Sequence, residues 1–342
     1  MAYTTIDKSS LHFNTKQYTG NASTNVITGV GFQPDLTWTK ATTYDHCWYD
    51  AVRGVSKRIR SNTTNTEDTN SGVTAFGTDG FTLGSDGEAN TNSLLYTSWN
   101  WKAGGGQGSS NTDGSINTTY TSANTTSGFS ISKYTGNGVV GATVGHGLGV
   151  APKMIMVKKL GGATDWMVYH ESIGNDHRLR LNTDAAKQDN PVWNDTTPTS
   201  SVFSMNDNGD ANASGGTYVA YCFSQKTGFS KFDSYTGNGN ADGTFTYTGF
   251  KPAFVVIKKA TADDNWILLD NRRDISPNPH KLAYFPNTGG DDAGDYLTDF
   301  VSNGFKIRSS TGSLNSASAT YIYMAFAEAP LVGSNNVPCT AR

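Results

Sequence analysis

The sequence predicts an all-β protein of three tandem antiparallel β-sandwich domains, jelly-roll-like in type. Three observations predict it. First, one pattern recurs: Tyr-Thr-Gly-Asn stands at Tyr18–Asn21, Tyr134–Asn137 and Tyr235–Asn238, followed by Pro34, Pro152 and Pro252, then by Trp48, Trp166 and Trp266. Prolines and tryptophans alike lie 118 and 100 residues apart. Stacked solenoid units are roughly 20–50 residues long, so each copy reads as a domain. Second, 38 glycines in 342 residues, 16% charged residues and only four glutamates leave few good helix formers. Third, short apolar runs alternate with Asn, Gly, Asp and Ser clusters, and no helical periodicity competes.

The elements follow in the same order in each copy. After the proline come the apolar runs Met154–Val157 and Phe254–Ile257, with the alternating Leu36-Thr37-Trp38 in copy one. Each run ends at lysine (Lys40, Lys158–Lys159, Lys258–Lys259), where the strand is expected to emerge into solvent. Polar turns, Gly161–Asp165 and Thr261–Asn265, lead back into Trp166–Tyr169 and Trp266–Leu269, the return arms of hairpins. Gly80–Leu83 and Gly304–Ile307 read as a later strand, and Tyr96–Trp101, Tyr218–Phe223 and Tyr321–Phe326 as closing aromatic strands. The predicted domains are residues 1–102, 128–225 and 226–342, the last with a C-terminal tail. Residues 103–127, rich in Gly, Ser, Thr and Asn, read as a flexible tether of roughly 25 Å span that lets copy one move. Copies two and three, joined only by Ser224–Gly228, read as a nearly rigid pair.

A net charge of −3 lacks the basic field that phosphate neutralisation needs, so nucleic acid is not an expected partner. No apolar stretch is long enough to span a membrane, and MAYTTIDKSSLHF lacks the basic and apolar regions of a signal peptide. Synthesis in the cytosol without membrane insertion is therefore expected. Cys47, Cys222 and Cys339 form an odd, scattered set; the first two read as buried thiols and Cys339 as an exposed one.

The recurrent Trp48, Trp166 and Trp266 read as core. Trp38, Trp99, Trp101 and Trp193 have no Trp counterpart and are candidates for copy-specific surfaces. Candidate receptor or glycan contacts are Trp193, in the polar loop Asp189–Asp195, with Tyr44 and Trp38. Asp50 with Arg53, and Asp270 with Arg272 and Arg273, are expected to brace the hairpin exits as ion pairs, whereas copy two has Tyr169-His170-Glu171 there. Asn206–Asp210 and Asp291–Asp295 space oxygens as calcium loops do but lack the closing glutamate, so they read as solvated turns. Asp45-His46-Cys47, and His170 with His177, form no closed zinc set. No nucleophile elbow, zincin helix or phosphate loop occurs, and none of the four glutamates sits in an apolar, pKa-raising context shared between copies, Glu171 coming nearest to an acid. No catalytic, metal or cofactor site is expected, and the protein reads as a non-enzyme.

Several of these motifs together resemble a family of virion-associated proteins of tailed bacteriophages, common among phages of marine bacteria and cyanobacteria. They are the opening MAYTTID, the YTGN segments, Asp50–Gly54, Ser127–Ser132, Val144–Gly149 with Ala151–Lys153, Trp166–His170, Gly228–Phe232, Thr320–Pro330 and the terminal Ala341–Arg342. The likeness spans essentially the whole chain and departs at Leu331–Thr340, an extra polar stretch. It implies a virion surface protein, tail- or fibre-associated, that attaches to host-surface polysaccharide by binding. Implied partners are other virion proteins and copies of itself, as a homotrimer by analogy with phage fibres. The alternatives are a decoration protein that stabilises capsid or tail and, behind it, a polysaccharide-degrading spike.

Overall fold

The computed structural model describes residues 4–274, 278–292, 294 and 296–330; Cys339, the polar stretch 331–340 and the terminal Ala341–Arg342 lie outside them, and the 291–295 turn lies partly outside. The described chain is all-β and antiparallel apart from one isolated parallel bridge, with only three four-residue α-helices and a few 3-10 turns. Each repeat sets a large sheet against a small one.

In the first repeat the large sheet runs Phe13–Thr19, Leu95–Trp101, Leu36–Ala41, Cys47–Asp50, Lys57–Arg60, Asp68–Thr69, and the small sheet holds Gly80–Leu83 between Asn25–Ile27 and Val73–Gly77. The third repeats this order with Ser230–Thr236, Thr320–Pro330, Phe250–Lys259, Trp266–Asp270, Ala283–Tyr284 and Asp291–Asp292; its small sheet holds Gly304–Ile307 between Phe245–Tyr247 and Thr298–Val301. The second has Tyr120–Asn124, Phe129–Thr135, Thr217–Phe223, Met154–Lys159, Met167–His170, His177–Arg180 and Gln188–Asp189 in its large sheet, and Ala142–Gly145 with Val202–Met205 in its small one.

The Tyr-Thr-Gly-Asn motif locks first strand to last. Its tyrosine pairs with the opening tyrosine of the closing strand (Tyr18 with Tyr96, Tyr134 with Tyr218, Tyr235 with Tyr321), and the rings stack at 5.1, 5.2 and 5.0 Å. The motif hydroxyls donate to carbonyls of Ala89, Ala211 and Leu314, within the three short helices. The glycine permits close approach: a Cβ on Gly20 would stand 2.1 Å from the Thr91 carbonyl oxygen. The motif asparagine's backbone N–H reaches the side-chain oxygen of a buried helix asparagine, Asn90, Asn212 or Asn315.

The three repeats are not independent domains on a string. One face of every large sheet contributes to a single central core: Phe13, Trp38, Trp48, Trp99 and Trp101 from the first, Met154, Met156, Trp166, Tyr221 and Phe223 from the second, Phe254, Val256, Trp266, Met324 and Phe326 from the third. The equivalent residues Trp101, Phe223 and Phe326 meet there, with ring separations of 6.5, 6.1 and 5.7 Å. The opposite face of each sheet packs under its own small sheet in a separate cluster. The large sheets are walls around a common interior, related by an approximate three-fold.

The strand-end lysines correct an expectation. Lys40, Lys158 and Lys258 are fully buried, because each ammonium crosses a seam to a backbone carbonyl of the preceding repeat: Lys158 to Thr64 (2.9 Å), Lys258 to Asp184 (2.9 Å) and Lys40 to Gly289 (3.0 Å). These acceptors are equivalent, and the third contact closes the ring from first repeat to last. Trp166 and Trp266 follow the same rule, donating Nε1–H to the carbonyls of Arg60 and Arg180 of the preceding repeat at 2.8 and 2.9 Å.

Trp48 does not belong to that set. Asp50, His170 and Asp270 pair with Leu36, Met154 and Phe254, which places His46 opposite the position of Trp166 and Trp266, and Trp48 at that of Val168 and Leu268. The first hairpin loop is two residues shorter, so the even tryptophan spacing in the sequence does not follow the strand register. The burial expected of Trp48 holds, though on a different register.

The 103–127 segment is folded rather than a free tether. Tyr120–Asn124 adds an edge strand to the second large sheet, and buried Asp35 accepts the backbone N–H groups of Ala103, Gly105 and Gly106 at 2.7, 3.0 and 2.6 Å. A composition without apolar periodicity conceals a strand held by backbone bonds and a carboxylate clamp.

One core implies one cooperative unit. Trp101→Ala should cost about 3–5 kcal/mol, and unfolding followed by tryptophan fluorescence and by circular dichroism should stay a single coincident transition. Two separated transitions would show independent domains.

Candidate functional site

In the third repeat the strand Phe245–Tyr247 alternates sides: Thr246 points inward and is buried, while Phe245 and Tyr247 are 45% and 51% exposed. Phe245 pairs with Lys306, and its ring lies beside Gly304, where a Cβ would stand 3.2 Å from the ring. Charged groups lie along the same sheet and its flanks. Lys231 Nζ stands 5.9 Å over Tyr247 and 3.5 Å from Asp233; Lys306 pairs with Asp242 at 2.8 Å; Arg308 bridges Asp299 (2.6 Å) and Asp242 (3.3 Å). The Lys306 hydrogen bond and charge, with Arg308, hold the Asp242 carboxyl below its ordinary range. Such exposed pairs add little stability individually. The face joins flat apolar platforms to donors and acceptors, and a sugar ring has the complementary chemistry: C–H groups for the rings and hydroxyls for the charges.

Only the third repeat carries aromatics there. Ile27, Val144 and Thr246 pair with Phe81, Phe203 and Phe305, so the positions of Phe245 and Tyr247 are held by Val26 and Thr28 in the first repeat and by Thr143 and Gly145 in the second. Their sequence signal is the Phe-Thr-Tyr alternation within Thr244–Thr248, a strand too short and polar to attract notice.

The residues expected at a contact surface lie elsewhere. Trp193 is buried: Pro191–Trp193 forms a 3-10 turn where the other repeats place a third small-sheet strand, and the indole packs on Tyr169 and Phe203 at 5.9 and 6.5 Å. A polar loop hides it because the loop wraps the core it fills. Trp38 is buried in the central core, as are Trp99 and Trp101. Tyr44 is half-buried against the first repeat's own core and accepts a hydrogen bond from Thr91 Oγ1 at 3.0 Å. None of the three lies near Phe245 in the sheet order.

The expected Asp–Arg braces form: Arg53 Nε meets Asp50 Oδ2, and Arg273 Nε meets Asp270 Oδ2, both at 2.5 Å. Tyr221 also donates to Asp50 at 2.7 Å, tying the second repeat to the first. Glu171 is exposed and pairs with Lys153. A cleft of about 50 Å³ between the first and third repeats, lined by Ser10, Asn14, Ala253, Asn271, Arg272 and Glu328, is too small for a sugar ring.

His170 takes the third brace position. Its Nδ1 accepts the Ser172 N–H at 3.2 Å and its Nε2 stands 3.1 Å from the Tyr323 carbonyl, the pattern of a neutral imidazole donating through Nε2. Burial pulls its pKa from 6.5 to about 4 against the opposing pull of that carbonyl. His46 and His146 are likewise lowered, chiefly by burial. Between pH 6.5 and 4 the unfolded chain therefore binds protons that the folded chain excludes. The stability these neutral histidines contribute is full above about 6.5 and is lost as pH drops toward 4, about 3 kcal/mol of it from His170. Denaturant titrations across this range should show that loss, and His170→Gln should flatten it relative to the parent chain.

Residues 8–330 match the family model described as a domain of unknown function, DUF7483. No curated protein and no solved structure matches the chain. Because the match takes in both ends of the three-walled core and all three sets of small sheets, the chain belongs to the DUF7483 family.

Proposed function

We propose that this protein is a surface component of a tailed-bacteriophage particle, tail- or fibre-associated, that attaches to host-surface polysaccharide by binding and not by catalysis. The observation that carries the binding half is the exposed pair Phe245 and Tyr247 with the flanking Lys231, Asp242, Lys306 and Arg308. The likeness of the sequence motifs to virion proteins supports the phage half.

The homotrimer suggested by analogy with phage fibres has less to do here, since three repeats already close around one core within a chain. The chain acts as a monomeric head, held on the particle by other virion proteins. Light scattering of the purified protein should give the single-chain mass.

The Phe245→Ala/Tyr247→Ala double variant should keep its thermal midpoint, because exposed substitutions usually change stability by less than about 0.5 kcal/mol. The parent protein should block adsorption of phage to host cells and the variant should not. Antibody labelling of intact particles locates the protein: label at the tail tip is expected. Label spread over the capsid, with adsorption unaffected by added protein, would instead support a decoration protein.

A further inference from the structure

A single position beside the outer edge of each large sheet occurs in three chemical versions. In the first repeat Arg58 stands opposite Asp68 and grips it side-on, through Nε (3.2 Å) and Nη2 (3.0 Å), while Nη1 takes Asp86 (3.0 and 3.1 Å). Arg60 beside it pairs with Asp68 and Glu88, both at 2.8 Å. Carboxylates fill every direction of the guanidinium forks. In the third repeat Ala283 and Phe285 occupy the arginine positions, and the charge is gone.

The second repeat keeps the arginines and loses two of the three acids. Arg178 stands opposite Gln188, which replaces Asp68, and Asn208 caps the short helix where Asp86 does so in the first. Asp210 takes the place of Glu88 but lies 3.8 Å from Arg178. Arg178 is 10% exposed, its Nη1 donates a hydrogen bond to the Met167 sulfur at 3.4 Å, and its buried Nε has no hydrogen-bond partner among the described residues. Burial and the neighbouring Arg180 both press its pKa down. Arg180 itself is engaged by Asp165 at 2.8 Å. A guanidinium held this deep with Asp210 beyond hydrogen-bond reach is costly, and the donor left empty is the one that Asp68 fills in the first repeat.

We propose that Arg178 is the receptor for a ligand carboxylate, that of a uronic-acid residue in an acidic polysaccharide, which enters where the Asp68 carboxylate sits in the first repeat. The carboxylate accepts side-on from Nε and Nη2. Gln188 and Asn208 remove two negative charges that would repel it, and each carries an amide able to donate to it. The carboxylate half of this assignment rests on Arg178 alone; the sugar half rests on the attachment reading above.

Calorimetric titration of the full chain with a short oligogalacturonate, and with the neutral galactose oligomer of the same length, tests it. Saturable binding of the acidic oligomer only is expected, weakened roughly ten- to a hundredfold in both Arg178→Gln and Gln188→Asp, as for loss of a charge-assisted pair. Gln188→Asp rebuilds the internal pair of the first repeat, so it should also raise the thermal midpoint, and it keeps the test valid if Arg178→Gln folds poorly. Absence of saturable binding, or binding undiminished in Gln188→Asp, would overturn the site. Poly-glutamate binding as tightly as the oligogalacturonate would overturn the sugar assignment. Blocking of phage adsorption by the added protein reads the outer aromatic face without reference to the oligogalacturonate titration, so failure there and failure here are read separately.

Discussion

Each large sheet is buried on both faces, and this constraint governs the rest of the molecule. In Met154–Lys159 the side chains of Met154 and Met156 enter the central core while Ile155 and Val157 enter the cluster under the small sheet; Phe254 and Val256 against Val255 and Ile257 divide the same way. A two-faced apolar sheet needs cover on both sides. The small sheet covers one face, and only the other two large sheets are available for the second. A single repeat would present its inner face to water as a large apolar patch, which is why the repeats close on one another within the chain.

The seams show how closure is made compatible with backbone polarity. A sheet buried on both faces still has loops whose carbonyls face the neighbouring wall, and unpaired buried carbonyls are costly. Lys40, Lys158 and Lys258 supply donors to those carbonyls, and Trp166 and Trp266 supply two more. Each ammonium gains carbonyl partners and each carbonyl gains a donor, so the two costs offset. In the first repeat His46 replaces the tryptophan and accepts Trp38 Nε1–H at 2.9 Å, a local solution to the shorter hairpin.

Around this shared interior the outer surfaces diverge. The same small-sheet position bears Val26, Thr143 or Phe245, and the same edge position bears a saturated arginine, an unsaturated one or alanine. Internal repetition preserves what closes the core and leaves the exterior free to specialise, so differences between repeats mark function more clearly than the repeats do.

Much of the fold was legible in the sequence: the all-β class, the three repeats, the hairpins after each proline, the closing aromatic strands and the Asp50–Arg53 and Asp270–Arg273 braces all follow from local alternation, turn residues and short-range charge. Trp193, Trp38 and the strand-end lysines misled for one reason. Whether a bulky or charged side chain meets water depends on what lies beyond its own segment, and here that is another repeat for Trp38 and the lysines and the second repeat's own core for Trp193. Phe245 and Tyr247 were passed over for the converse reason, since aromatics in a strand are usually core, and only the empty outer side of a three-stranded sheet exposes them. By itself the sequence determined the local elements and their repetition, because backbone propensity and period act over a few residues. Tertiary structure alone decided that the repeats share one core, which Trp has no true counterpart, and which arginine is left without its acid, because each depends on register and on walls brought together from distant parts of the chain.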